Sequence, residues 1–293
     1  MRIERVIGVQ SALGEGPLWD VEDQCIYWLD SFGGTVMRCG PSGAEFRAWE
    51  TQTRIGSMAL RAAGGAVLAT DQGVLALDFD TGSLTLVSDV EASDPNVRLN
   101  DGKVDRDGRF VFGSLTLDGE PRSNLYTLEL DRTVSVIEQG IYCTNGPCWS
   151  PDGRTFYLTE SLGPDRGVFA YDYEAGKLAN RRKLNDPGDD PYVLNDGATV
   201  DAEGFIWSAM YGGASVIRYR PDGAVDRVVE LPMKTTSSVM FGGPDLDILY
   251  VTSSAENLLP REDGEVDAGP WAGDLVAIHG LGVRGLPETR FAG

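Results

Sequence analysis

Residues 194–207 read LNDGATVDAEGFIW, an acid in a short polar stretch followed by a polar turn and the start of an apolar strand. The same order returns along the chain, as GEGPLWDVEDQCIYWLD from Gly14, RLNDGKVDRDGRFVFGS from Arg98 and TNGPCWSPDGRTFYLT from Thr144. Self-similarity with a period of roughly forty residues is the signature of a propeller or another stacked array. In a closed ring, equivalent positions of successive units face one axis. Glu15, Asp101, Asn145 and Asp196 are therefore candidates for one shared site.

Two further units complete the series. RIGSMALRAAGGAVLATD carries Gly56 at the anchor position, and TTSSVMFGGPDLDILYVTS carries Ser237. Every unit supplies three or four short strands rich in Val, Ile, Leu, Tyr, Phe and Trp, separated by turns such as PDG, DRDG, DAEG and DTG. No window holds the period of a long amphipathic helix. The pattern predicts an all-β, six-bladed β-propeller with its active site on the central axis, whose radial repetition leaves only short, protected edges. A β-sandwich would not explain the sixfold recurrence. RIERVI, residues 2–7, stands ahead of the first unit and is expected to complete the last blade.

Apolar residues make up 42% of the chain and are spread evenly, so residues 1–293 are read as a single domain. No apolar run approaches the roughly 18 residues of a membrane helix, and MRIERVIGVQ lacks the apolar core of a signal peptide. The expectation is a soluble, cytoplasmic protein. Cys25, Cys39, Cys143 and Cys148 form neither a CxxC pair nor a disulfide-dense framework, which fits reduced thiols. The net charge of −20 argues against nucleic acid and anionic membranes as partners. What remains is a small-molecule partner, with the chain a monomer or weak homo-oligomer.

A single histidine, His279, excludes a multi-histidine zinc site, and any Ser-His-Asp triad would have to use this one residue. It lies in the apolar strand end LVAIHGLG and reads as structural. Walker, dinucleotide-binding and nucleophile-elbow motifs are absent. Four of the six anchors carry a carboxylate or amide oxygen, a donor set that suits a hard or borderline divalent cation. Asx and Glu at such points also cap turns. Against that reading, carboxylates crowded on an axis resist ionisation unless a cation compensates them.

GEGPLWD at Gly14, RLNDGKVDRDGR at Arg98, TNGPCWSPDG at Thr144, LNDGATVDAEGFIW at Leu194, KTTSSVMFGG at Lys234 and GLGVRGL at Gly280 occur in an order that resembles the regucalcin (senescence marker protein 30), gluconolactonase and luciferin-regenerating enzyme family. The resemblance covers essentially the whole chain. It implies a six-bladed propeller with one divalent metal (Ca²⁺, Mg²⁺, Mn²⁺, Zn²⁺ or Fe²⁺) on the axis and, in most bacterial members, hydrolysis of sugar-acid lactones. It further implies metal ligands at Glu15, Asn145 and Asp196, and substrate contacts at Arg98 and Asn100. A further acidic substrate contact falls at Asp118, in the poorly matched SLTLDGEPR. Asp101 lies beside the site, placed for a water or an outer ion.

The expected chemistry is opening of an aldono-1,4- or 1,5-lactone to the free aldonic acid, with Asp196 accepting the proton of the attacking water. Two rival readings are a calcium-binding regulator without turnover and a phosphotriesterase-like hydrolase. Arg98 and Asn100 favour catalysis, because an ion store has no use for polyol contacts. High-affinity calcium buffers also gather more carboxylates around the ion than are available here. Selectivity is expected from insertions at residues 118–123, 163–166, 186–192 and 255–271.

Overall fold

The computed structural model describes residues 1–259 and 267–293. Among them 24 strands form six four-stranded antiparallel sheets. None of the described residues is helical, and no helix is long and apolar enough to cross a membrane. The innermost strands of blades 1 to 6 are Gly14–Asp20, Ile55–Leu60, Val97–Val104, Thr144–Trp149, Leu194–Val200 and Thr236–Gly242. Each touches the innermost strand of the next blade, and the sixth touches the first, so the ring is closed. Arg2–Ile7 is the outer strand of blade 6, paired with Leu275–His279 in the register Arg2↔His279, Ile3↔Ile278 and Glu4↔Ala277. The first strand thus completes the last blade and latches the ring, as the isolated RIERVI segment led one to expect.

Burial follows from this radial packing. Leu194–Val200 and Ile206–Tyr211 are buried at every residue, because neighbouring blades cover both of their faces. Fringe strands such as Arg47–Glu50 and Lys177–Lys183 are largely exposed. Aromatic side chains fill the wedges between blades. Trp207 meets Phe241 edge-on at 5.6 Å between blades 5 and 6, and Trp19 stacks on Tyr250 at 5.8 Å between blades 1 and 6. Such aromatic pairs add roughly 0.5–1.5 kcal/mol beyond the area they bury.

The polar turn of the repeat has a structural task of its own. Asp20, Asp105 and Asp201, which end three innermost segments, accept hydrogen bonds from the backbone two residues on, at Glu22, Asp107 and Glu203. Each of these buried carboxylates also takes an arginine: Arg290 on Asp20, Arg109 on Asp105 and Arg218 on Asp201.

The anchor segments carry the feature that shapes the site. In all six innermost strands the pairing with the second strand slips at the anchor, between Glu15 and Leu18, Ile55 and Ser57, Leu99 and Gly102, Asn145 and Cys148, Asn195 and Ala198, and Thr236 and Ser238. A bulge re-aims the side chains next to it. Around the axis Glu15, Asn100, Asn145 and Asp196 stand beside or inside these bulges.

Candidate metal centre and active-site cavity

The sequence aligns Glu15, Asp101, Asn145 and Asp196 at one position of the repeat, and the strand register separates them. Glu15 and Asn145 are the last paired residues before their bulges. Asp196 is the first residue within its bulge, as is Asn100, while Asp101 is the second. Glu15, Asn145 and Asp196 nevertheless all reach one cavity of about 340 Å³, and Arg98 and Asn100 line it with them. That volume is at the lower end for a small-molecule site. Asp101 does not line the cavity. Its Oδ1 accepts the Gly102 amide at 2.7 Å and its Oδ2 the Gly146 amide at 2.8 Å, which ties blade 3 to the bulge of blade 4.

Local sequence sets this geometry. Gly16 and Gly146 follow the paired Glu15 and Asn145 with φ of 49° and 54°, a left-handed turn that glycine makes without cost. A Cβ on Gly146 would also lie 2.8 Å from the Ala198 Cβ. The two anchors without ligand oxygens have packing reasons. A Cβ on Gly56 would fall 2.3 Å from the Leu99 carbonyl, and the Ser237 hydroxyl donates to the Gly14 carbonyl of blade 1. Small residues stand there because neighbouring backbones occupy the space.

A chain of hydrogen bonds orients the Asn145 amide. Ser161 donates its hydroxyl proton to the Asn195 carbonyl at 2.7 Å, which leaves its oxygen to accept Asn145 Nδ2 at 2.9 Å. Asn145 Oδ1 is thereby turned the other way, where it accepts Asn100 Nδ2 at 3.0 Å and keeps a lone pair. Asn100 Nδ2 also donates to the Thr144 carbonyl at 2.7 Å, so the amide the sequence assigns to substrate contact is tied to the second ligand candidate.

The electrostatics are those of an uncompensated anionic site. Burial, then the charge of Asp196 and then that of Asp101, push the Glu15 carboxyl well above its ordinary value. Burial and then Asp101 do the same to Asp196. Burial also raises Asp101, although two backbone amides oppose the shift. Among the described residues Arg98 is the cation whose field reaches both Glu15 and Asp196, and burial lowers its own pKa. Its guanidinium lies over the Phe32 ring at 5.6 Å and makes no hydrogen bond to another described residue. Two carboxylates and one oriented amide oxygen, buried together at a cavity floor, fit a hard divalent cation whose remaining positions water or ligand would fill.

Other acids are accounted for differently. Asp118 is not among the residues that line the cavity. Its carboxylate accepts the Thr116 hydroxyl at 2.6 Å and pairs with Arg122 at 3.2 Å on the exposed rim. Asp20, Asp23 and Cys25 form a second acid and thiol group outside the axis. Asp20 is neutralised there by Arg290 at 2.8 and 2.9 Å, and burial pushes the Cys25 thiol up to about 11. That group has no need of a cation. His279 Nε2 lies 2.8 Å from Glu4 Oε1 at the latch, far in the fold from the axis.

The cavity also contains residues the sequence did not single out. Leu115 and Leu117 precede the first expected insertion and Leu162 the second, while Leu258 and Leu259 lie within the fourth, whose residues 260–266 fall outside the described residues. The insertion at residues 186–192 contributes nothing to the wall, which takes Leu194 just after it. Leu13, Thr116, Cys143, Ser161 and Tyr211 also line it, Tyr211 ending and Ser161 following the second strand of its blade.

Comparison with known proteins agrees with this fold. Residues 13–255 match the model of the "SMP-30/Gluconolactonase/LRE-like region". The chain is 36% identical to the regucalcin of Xenopus laevis and 31% to that of Homo sapiens, in each case over 100% of this chain and 99% of the relative. A solved luciferin-regenerating enzyme superposes with a TM-score of 0.90 at 29% identity, covering 99% of both chains. A calcium-binding regucalcin from Agrobacterium tumefaciens superposes at 0.88 with 26% identity, over 98% of this chain and 96% of that one. Sequence, strand register and these likenesses converge, and the chain belongs to the SMP-30, gluconolactonase and LRE-like family.

Proposed function

We propose that this protein hydrolyses a lactone to the open hydroxy acid at a divalent cation held by Glu15, Asn145 and Asp196. Aldonolactones, toward which the gluconolactonase resemblance points, are its reference substrates. The observation that carries this reading is the pairing of two uncompensated buried carboxylates with Arg98, a cation free of hydrogen-bond partners among the described residues, on one cavity. A simple ion store would need the first of these and not the second.

When bound, the cation supplies positive charge that favours attack of water on an ester carbonyl. The chain's own groups do the rest. Arg98 donates hydrogen bonds to a carbonyl or ring oxygen of the lactone, with a charge that suits an oxygen turning anionic. Asn100 holds Asn145 in place and offers its own Oδ1 to a substrate hydroxyl. Asp196 takes the proton of the attacking water while the new C–O bond forms. The acyl–oxygen bond of the ring then breaks, and the same proton passes to the departing ring oxygen, which becomes the hydroxyl of the product. A base so placed contributes roughly 10² to 10⁴ in rate.

A second reading, calcium binding without turnover, draws on the calcium-binding relative from Agrobacterium tumefaciens. Acid release in weakly buffered solution separates the two. The signal, corrected for spontaneous ring opening, should vanish on chelation and return with metal. If no lactone turns over with Ca²⁺, Mg²⁺, Mn²⁺, Zn²⁺ or Fe²⁺, hydrolysis is ruled out and the calcium-binding reading takes its place.

A further inference from the structure

The wall above the acids is apolar. Seven of the sixteen described residues that line the cavity are leucines, and Tyr211 is the one aromatic side chain among these sixteen. Leu117 stands 55% exposed at this wall, a large apolar side chain left facing solvent where a ligand would cover it. Leu162, Leu258 and Leu259 come from two other loops, so the apolar surface is assembled from separate segments around the opening.

The polar side chains of the wall are mostly occupied. Thr116 donates its hydroxyl to Asp118. Tyr211 accepts the Leu258 amide at 2.8 Å and donates to the Glu256 carbonyl at 3.3 Å. Ser161 both accepts and donates within the Asn145 network. Once Glu15, Asn145 and Asp196 are assigned to a cation, Arg98 and the Oδ1 of Asn100 are the strong hydrogen-bonding groups left for a ligand among the described residues. A hydroxyl taken from water without a partner costs roughly 5- to 150-fold in affinity. Arg98 donates to the ester oxygens of a lactone and Asn100 Oδ1 accepts from one hydroxyl, which leaves the other hydroxyls of an aldonolactone short of partners.

We propose that the substrate of this chain is a γ- or δ-lactone carrying an alkyl or aryl substituent. Its ester faces Arg98 and the axial acids, and its substituent lies against Leu117, Leu162, Leu258 and Leu259. This inference rests on the lactone-hydrolysis reading and narrows its substrate class away from polyhydroxylated rings.

The test compares γ-valerolactone, γ-heptalactone and γ-nonalactone with galactono-1,4-lactone, all on the metal-loaded enzyme and below their solubility limits. Burial of a methylene is worth about fourfold in kcat/KM. The expected result is a rise of about that factor per methylene along the alkyl series, with the aldonolactone below its end. Leu117→Gln and Leu162→Gln should flatten the slope, with an unchanged metal-induced thermal shift as the check on folding. Thermal shift of the metal-free protein by 5-pentyl-2-pyrrolidone, an unhydrolysed alkyl lactam, gives a readout independent of turnover. A higher kcat/KM for galactono-1,4-lactone than for γ-nonalactone overturns the inference and leaves lactone hydrolysis standing. An alkyl slope unchanged in both leucine variants overturns the placement of the substituent. No turnover of any lactone, with a lactam shift that the leucine variants abolish, removes the hydrolysis reading and retains the apolar ligand.

Discussion

Asp196→Asn tests the centre at its most exposed assumption, that two buried carboxylates await a cation. In the metal-free protein Glu15 and Asp196 titrate above their ordinary values of 4.5 and 3.8, through burial first and then through a neighbouring carboxylate, Asp196 for Glu15 and Asp101 for Asp196. A carboxyl whose folded pKa is raised stabilises the fold while protonated. That contribution is fully present below the ordinary carboxylate range and is lost as pH rises through the raised folded value. Metal-free protein should therefore melt at lower temperature at pH 8 than at pH 5.5. A cation reverses the trend, because it binds the deprotonated pair. At a hundred times its Kd it stabilises by about 2.7 kcal/mol. With an unfolding entropy of about 2.1 cal/mol/K per residue, 293 residues give about 0.6 kcal/mol per degree, hence a rise of about 4–5 °C. Asp196→Asn removes one charge and keeps an oxygen. Its metal-free Tm at pH 8 should equal or exceed that of the wild type, and a loss of about 100-fold in affinity would cut the metal shift to under about 1 °C, recovered at proportionally higher metal. Scanning fluorimetry with each of the five cations after chelation reads all of this. A wild-type melt indifferent to every cation, or an Asp196→Asn protein that keeps the full shift, refutes the centre.

Arg98→Ala should raise KM by about 10- to 100-fold and leave the metal-induced Tm shift unchanged, since the guanidinium serves the ligand; loss of the shift, or a KM within twofold of wild type, would return Arg98 to a structural role. His279→Asn should leave kcat within about threefold, because its imidazole meets Glu4 at the latch; a thousandfold loss in a folded, metal-loaded variant would reopen a histidine mechanism. Arg218→Met strands the fully buried Asp201, which Arg218 Nη2 meets at 2.7 Å, and a broken buried pair costs about 3–5 kcal/mol. At about 0.6 kcal/mol per degree that is a Tm lower by about 5–8 °C, read by circular dichroism, and a drop under 1 °C would contradict it.

The fold was legible because the signals that specify it are short in sequence. Each turn and each alternating strand announces itself within ten or so residues, and sixfold recurrence leaves few architectures. The latch strand Arg2–Ile7 was legible for the same reason, as a strand pattern with no neighbour to pair with in its own unit. The convergence of Glu15, Asn145, Asp196, Arg98 and Asn100 was also readable, through a resemblance that fixed them by motif. The register at the anchors was not. NDG and NGP align by eye, yet Asn145 precedes its bulge and Asp196 lies inside one, because the slip depends on which backbone amides pair across the sheet and not on residue type alone. The arginine on Asp20 comes from Arg290, 270 residues away in the chain, and no local pattern signals it. The leucine wall escaped for a related reason, since its members sit one or two per loop and only the ring brings them together.

The axis also explains why blade 4 offers an amide where the neighbouring blades offer acids. Three carboxylates approach the axis, Glu15, Asp101 and Asp196. Asp101 is met by the amides of Gly102 and Gly146, with the charge of Lys103 nearby, so its anion is compensated by the protein itself. Glu15 has only the amide of the next residue, Gly16, at 3.2 Å, and both it and Asp196 face the cavity. Those two negative charges match one divalent cation. A third facing carboxylate at position 145 would leave a net negative centre in a buried place, which costs heavily unless it is protonated or paired. Asparagine supplies the oxygen without the charge, and Ser161 and Asn100 fix which end of the amide points inward. With a divalent cation bound as proposed, the floor would be neutral and the charge of Arg98 would remain for an oxygen that becomes negative only as a substrate reacts.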